Sequence, residues 1–292
     1  MSIFKGSATA MITPFKNGEI DFDSFGKLID FQLENNTDAL VICGTTGEAS
    51  TMTFDEKMSA IEFAIKRVNK KIPVIAGTGG NNTKEAIRTS QAAEKLGADA
   101  LLIVTPYYNK TTQDGLVAHY NAIADSVHIP IIAYNVPGRT GVNILPATMK
   151  KMSQHKNIVA IKEASGNIEQ ITTLASICPD LDIYSGNDDH VLPVLSLGGK
   201  GVISTVSNIL PKQMHELCSY FFDGELVKSR EMQFYLLPMC KAAFCEVNPI
   251  PIKSMLSYCG KCDGELRLPL VEPQSEHVEY MKNTMKEYGI IK

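Results

Sequence analysis

Along this chain short apolar runs alternate with amphipathic stretches at a spacing of roughly 30 residues, the rhythm of repeated strand-helix units that build a parallel sheet. The apolar runs are Ala8 to Ile12, Ala39 to Cys43, Pro73 to Ala76, Leu101 to Val104, Pro130 to Ala133, Ile158 to Ile161, Leu181 to Tyr184 and Val202 to Ser204. Between them, sets such as Phe25, Leu28, Ile29 and Leu33, or Met58, Ile61, Ile65 and Val68, recur at the spacing of one buried helix face. Helix boundaries are marked too. Asp21 is placed to cap, Thr53-x-x-Glu56 and Asn82-x-x-Glu85 have capping-box spacing, Gly97 sits where a terminating glycine belongs, and Pro211 suits a first helical turn. Eight strand-helix pairs end near Phe222. They predict an α/β chain, a (β/α)8 TIM barrel over 1–223; residues 224–292 hold no strand-like run and predict a C-terminal helical region packed on the barrel.

The sixth run carries chemistry. Ile158-Val159-Ala160-Ile161 leads into Lys162, Glu163, Ala164, Ser165 and Gly166, a strand buried on both faces with an ionisable group at its end. Strict alternation puts Ile158, Ala160 and Lys162 on one face and Val159, Ile161 and Glu163 on the other. A lysine there either snorkels to solvent or is desolvated, and a desolvated amine titrates lower and becomes a neutral nucleophile for carbonyl carbon.

Composition narrows the partners. The 292 residues are 44% hydrophobic and 21% charged with a net charge of -4, so no basic footprint points to nucleic acid or an anionic membrane. Seven cysteines, scattered among apolar positions, fit reduced thiols better than a disulfide framework. Met1 to Phe15 has no leader-like pattern and no run is long enough to span a bilayer, which predicts a cytoplasmic protein.

In barrels of this kind the site lies at the C-terminal strand ends. There the chain places Thr45 and Thr46 in a glycine-flanked loop, Tyr107 and Tyr108, Tyr134 and Arg139, Lys162 and Gly186. Each has an ordinary alternative as a turn residue, a strand-end aromatic or a surface arginine. Gathered round one lysine, however, hydroxyls and loop amides suit a carboxylate, a phenol can carry protons, and a guanidinium suits a second carboxylate. Other chemistries lack their motifs. No His-Glu-x-x-His, Walker loop or dinucleotide fingerprint occurs, the six histidines are dispersed, and Cys259-x-x-Cys262 is a single pair.

Four segments, Gly44-Thr45-Thr46-Gly47-Glu48, Thr105-Pro106-Tyr107-Tyr108-Asn109, Tyr134-Asn135-Val136-Pro137-Gly138-Arg139-Thr140-Gly141 and Ile161 to Gly166, resemble the signatures of the dihydrodipicolinate synthase family, in order and at matching spacing. That family belongs to the pyruvate-dependent class I aldolases, and the resemblance runs the length of the chain. It implies that Lys162 forms a Schiff base with pyruvate, whose enamine attacks L-aspartate 4-semialdehyde to give 4-hydroxy-tetrahydrodipicolinate on the lysine and diaminopimelate route. It further implies that Thr45 and Thr46 hold the pyruvate carboxylate, that Thr46, Tyr134 and Tyr108 relay protons, that Arg139 binds the semialdehyde, and that Gly186 and Ile203 carbonyls line the site. Tyr108 would reach in from the neighbouring subunit of a tight dimer within a homotetramer, and no cofactor or catalytic metal is implied. The competing readings are another aldolase of the superfamily, acting on N-acetylneuraminate or a sugar acid, and a non-catalytic ligand-sensing barrel.

The match departs at a regulatory position. Family members inhibited by lysine bind it with residues corresponding to Ala49, Ser50, Phe54, Lys57, Asn81, Glu85 and Tyr107; here Phe54 and Lys57 replace typical histidines. An ammonium at Lys57 repels those of the ligand, which predicts weak or absent lysine inhibition.

Overall fold

The computed structural model describes residues 2–292. Eight parallel strands close into a barrel, β1 (Gly6–Ala10), β2 (Ala39–Ile42), β3 (Val74–Gly77), β4 (Ala100–Val104), β5 (Ile131–Asn135), β6 (Ile158–Glu163), β7 (Asp182–Ser185) and β8 (Gly201–Ser204), with β8 pairing back onto β1. The helices that follow them are α1 (Phe22–Glu34), α2 (Phe54–Val68), α3 (Thr83–Leu96), α4 (Gln113–Asp125), α5 (Pro146–Met152), α6 (Ile168–Ile177), α7 (Val191–Ser196) and α8 (Pro211–Phe222). Three more, α9 (Leu226–Ala243), α10 (Ile250–Tyr258) and α11 (Ser275–Glu287), complete the chain.

Local signals set most boundaries. Thr53 and Glu56 cap α2 reciprocally, Asp21 accepts from the Ser24 amide, and Gly97 ends α3 at φ 95°. Asn82 caps α3 through the Lys84 and Glu85 amides, but the Glu85 carboxylate turns to Arg88, so only half of that box forms. The first apolar run is displaced: β1 is Gly6–Ala10, and Met11 and Ile12 lie beyond it, buried, with the Ile12 amide donating to Asn208 Oδ1 at 3.1 Å. A hairpin absent from the sequence reading joins Phe15–Lys16 to Glu19–Ile20. Its signal was present, since Asn17 and Gly18 both have positive φ, the two-residue turn that Asn-Gly favours.

Two layers of core result. Ala8, Val41, Ile75, Leu102, Ile132, Tyr134, Ala160, Tyr184 and Ile203 fill the barrel, while Ile42, Ile61, Ile103, Ile161 and others pack between barrel and helices. Strict alternation in β6 fails at its start. The β5–β6 register shifts so that Ile131 faces Ile158 but Ile132 faces Ala160, a bulge that sends Ile158 to the outer layer and Val159 toward the inner one. From Ala160 onward the alternation holds, and Lys162 points inward with it.

The C-terminal helices share the outer core through Leu236, Met239, Ile252 and Met255, all fully buried. Among the described residues no helix is long and apolar enough to cross a membrane.

Candidate active site

The barrel interior brings three residues into register. Tyr134 of β5 pairs with Lys162 of β6, which pairs with Tyr184 of β7. Lys162 is 6% exposed and its Nζ lies 4.4 Å from the Tyr134 ring centroid. Tyr184 closes the space beneath by stacking on Phe4 and donating to its carbonyl at 2.7 Å. Gly186, just past β7, is required by crowding: a Cβ there would come within 3.1 Å of Lys162 Cε and 2.6 Å of Ala164 Cβ. Ile203 of β8 is part of the same inner wall. The strand end is pinned from behind by Glu163, whose carboxylate accepts from Asn135 Nδ2, Gln170 Nε2 and the Ser165 amide. Burial pushes the Glu163 carboxyl above its ordinary range, against those donors.

The loop after β2 supplies the threonines. It is bracketed by two non-glycine residues with positive φ, Cys43 at 59° and Glu48 at 53°, a backbone that must be held from outside. The hold on Glu48 comes from the C-terminal region: Lys253 Nζ of α10 sits 2.5 Å from Glu48 Oε1, both side chains fully buried, and the amide of Arg267, between α10 and α11, donates to Oε2 at 3.1 Å. Burial lowers the Lys253 pKa, and the Glu48 charge resists the shift. Thr46 is buried, with Oγ1 3.4 Å from Thr205 Oγ1 and accepting from Asn248 Nδ2 at 2.9 Å. Arg139 stands on a one-turn helix, Pro137–Thr140, and its Nη2 donates to the Asn248 carbonyl at 3.2 Å.

A cavity of about 640 Å³ opens above these groups, lined by Thr45, Tyr134 and Arg139. Ala49, Ser50, Phe54, Lys57, Asn81, Glu85 and Tyr107, the seven positions that the family resemblance ties to lysine, line the same cavity. Tyr108 is elsewhere. It is 91% exposed at φ 70°, so the chain does not bring this phenol to its own Lys162.

Three site neighbours escaped the sequence reading. Asn248 and Thr205 contact Thr46 directly. Asp188 is buried, and its Oδ2 accepts from the Thr205 and Val206 amides at 3.1 and 3.2 Å. Burial raises the Asp188 pKa, opposed by the Ser204 hydroxyl, those amides and the positive charge of Lys162. None of the three carries a motif visible in one sequence. Burial raises both thiols of the Cys259-x-x-Cys262 pair, Cys262 to about 11.

The family model described as the dihydrodipicolinate synthetase family matches residues 3–288. The chain belongs to that family. It is 55% identical to the 4-hydroxy-tetrahydrodipicolinate synthase of Caldicellulosiruptor bescii over 291 residues, 99% of each chain. Among solved structures, dihydrodipicolinate synthase from Thermotoga maritima superposes with a TM-score of 0.97 at 47% identity, covering 99% of this chain and 100% of that one. The enzyme from Acinetobacter baumannii, solved in complex with pyruvate, gives 0.96 at 42% identity, covering 98% and 99%.

Proposed function

We propose that this family member works as a 4-hydroxy-tetrahydrodipicolinate synthase, condensing pyruvate with L-aspartate 4-semialdehyde in lysine and diaminopimelate biosynthesis, through the cluster around Lys162. The observation that carries the reading is an amine buried in the barrel in register with two tyrosines, one of which, Tyr134, lies under its Nζ and also lines a cavity shared with Thr45 and Arg139. Nζ of Lys162 adds to the pyruvate C2 carbonyl and water leaves, giving the Schiff base. Loss of a C3 proton makes the enamine, whose carbon forms the new bond to the aldehyde carbon while the aldehyde oxygen takes up a proton. The substrate amine then attacks C2 and expels Lys162, closing the ring; the sum is one water released per condensation.

The remaining roles follow from position. Thr45, Thr46 and the loop amides receive the pyruvate carboxylate, and the Tyr134 phenol, beside the lysine, exchanges protons with substrate together with Thr46. Gly186 and Ile203 shape the floor. Arg139, facing the cavity, holds the semialdehyde carboxylate with its planar fork. Tyr108 completes the relay from a second copy in a tight dimer, which its 91% exposure permits, and two such dimers make a homotetramer acting in the cytoplasm without a cofactor.

Borohydride reduction in the presence of pyruvate tests the centre of this reading. It leaves one mass adduct, on Lys162, and adding semialdehyde in place of reductant gives the heterocycle. An adduct on another lysine, or cleavage of N-acetylneuraminate in preference to condensation, rejects it.

A further inference from the structure

Asn248 lies between α9 and α10, beyond the eight strand-helix pairs, yet it is 5% exposed and touches two site residues. Its Nδ2 donates to Thr46 Oγ1 at 2.9 Å and its main-chain carbonyl accepts from Arg139 Nη2 at 3.2 Å. Its Oδ1 is buried without a partner. The consequence concerns the Thr46 proton. A threonine hydroxyl has one proton to donate and two lone pairs to accept with. With one lone pair committed to the Asn248 amide, the Thr46 proton cannot go to Asn248 and must go to an acceptor on another side. Thr205 Oγ1 at 3.4 Å is one such neighbour, and bound substrate another.

We propose that Asn248 is a positioning residue for the condensation: it fixes the Thr46 hydroxyl as a donor toward the reacting groups, and through its main chain it links that hydroxyl to the Arg139 guanidinium. The two substrate subsites are thereby fastened to one residue of the C-terminal helical region. This rests on the proposed role of Thr46 as a proton carrier.

The test uses two substitutions in the full-length enzyme, each read against a thermal melt. Asn248→Asp keeps the side-chain shape but presents a carboxylate that only accepts, so it captures the Thr46 proton; Asn248→Ala removes the contact. The mechanism requires Asn248→Asp to lower kcat at least as much as Asn248→Ala, by about 10²-fold, the size of a lost proton-transfer contribution. KM for the semialdehyde stays within about twofold in both, because Arg139 is held by the main-chain carbonyl, and borohydride still traps pyruvate on Lys162. Placed on a Thr46→Val background, Asn248→Asp has no further effect on kcat, since its target is gone. Near-parental turnover in Asn248→Asp, a smaller loss than in Asn248→Ala, or losses that multiply with Thr46→Val overturns the proposal; the Thr46→Val comparison decides the matter when a single variant melts early. Absence of the Lys162 adduct in the parent enzyme instead rejects the underlying functional reading.

Discussion

Replacing Lys253 with methionine should loosen the loop that carries Thr45 and Thr46 from a point on another part of the chain. Methionine fills much of the lysine stem volume but removes the ammonium 2.5 Å from Glu48 Oε1. Glu48 is then a fully buried carboxylate with the Arg267 amide as its remaining partner. Removing one member of a buried ion pair costs about 3–5 kcal/mol, because the survivor stays desolvated and uncompensated. At roughly 2–4 °C per kcal/mol for a chain of this size, the melt should fall by on the order of 10 °C. Neutralising both partners, Glu48→Gln with Lys253→Met, removes the stranded charge and should recover most of that loss. Since Glu48 also holds a positive-φ turn at the end of the threonine loop, the single variant should raise KM for pyruvate as well. Thermal melting by circular dichroism, run as a double-mutant cycle beside steady-state kinetics, reads both effects. A Lys253→Met melt unchanged from the parent, or a double variant no better than the single, refutes the reasoning.

Gly186→Ala places a methyl within 3.1 Å of Lys162 Cε and 2.6 Å of Ala164 Cβ, an overpacking cost of about 1–3 kcal/mol. The rate of borohydride-trapped adduct formation should drop accordingly, and a parental rate would falsify the crowding at that wall. His215 Nδ1 donates to the Asp38 carboxylate at 2.9 Å, and that carboxylate raises the imidazole pKa above its ordinary value. Because the folded value lies above the unfolded one of about 6.5, the pair's stabilisation is complete below that pH and disappears as pH rises through the folded pKa; His215→Gln should remove this component from a series of melts, and an unchanged pH profile would count against it. L-Lysine should inhibit weakly or not at all: Lys57 lines the cavity, Arg88 Nε holds Glu85 Oε2 at 3.1 Å, and the Arg88 guanidinium lies 3.8 Å over the Phe54 ring. Micromolar inhibition in a steady-state assay contradicts that electrostatic account.

Where a structural feature is imposed by neighbours in sequence, it could be read from the chain. The eight strands, the Thr53-Glu56 box and the Gly97 stop were legible because period and cap chemistry are local. The face of Lys162 was legible only because it lies past the irregularity. At Ile158 and Val159 the register shift with β5 reverses the faces, and nothing within β6 announces a bulge that depends on pairing with another strand. The hairpin at Asn17-Gly18 was a missed local signal, obscured by strands only two residues long.

Asn248, Asp188 and Thr205 show a different boundary. Asn248 is followed by Pro249, a setting that reads as a surface turn, and asparagine is common there for its side-chain bonds to nearby backbone. It is buried where the connection between α9 and α10 meets the loop that carries Thr46, a contact across 202 residues of chain. The same helices provide Lys253, which holds Glu48 across 205 residues. Lys162, Tyr134 and Thr46 stand at strand ends, where the barrel pattern alone directs attention; the groups that orient them stand wherever the fold brings a donor or a charge against a strained loop. The strain at Glu48 is stable only while Lys253 and Arg267 oppose it, and the Thr46 hydroxyl keeps one direction only while Asn248 occupies one of its lone pairs. The orientation of the threonine loop therefore depends on residues outside the barrel, which is why a substitution at Asn248 or Lys253 should register in the threonine loop before it registers at Lys162.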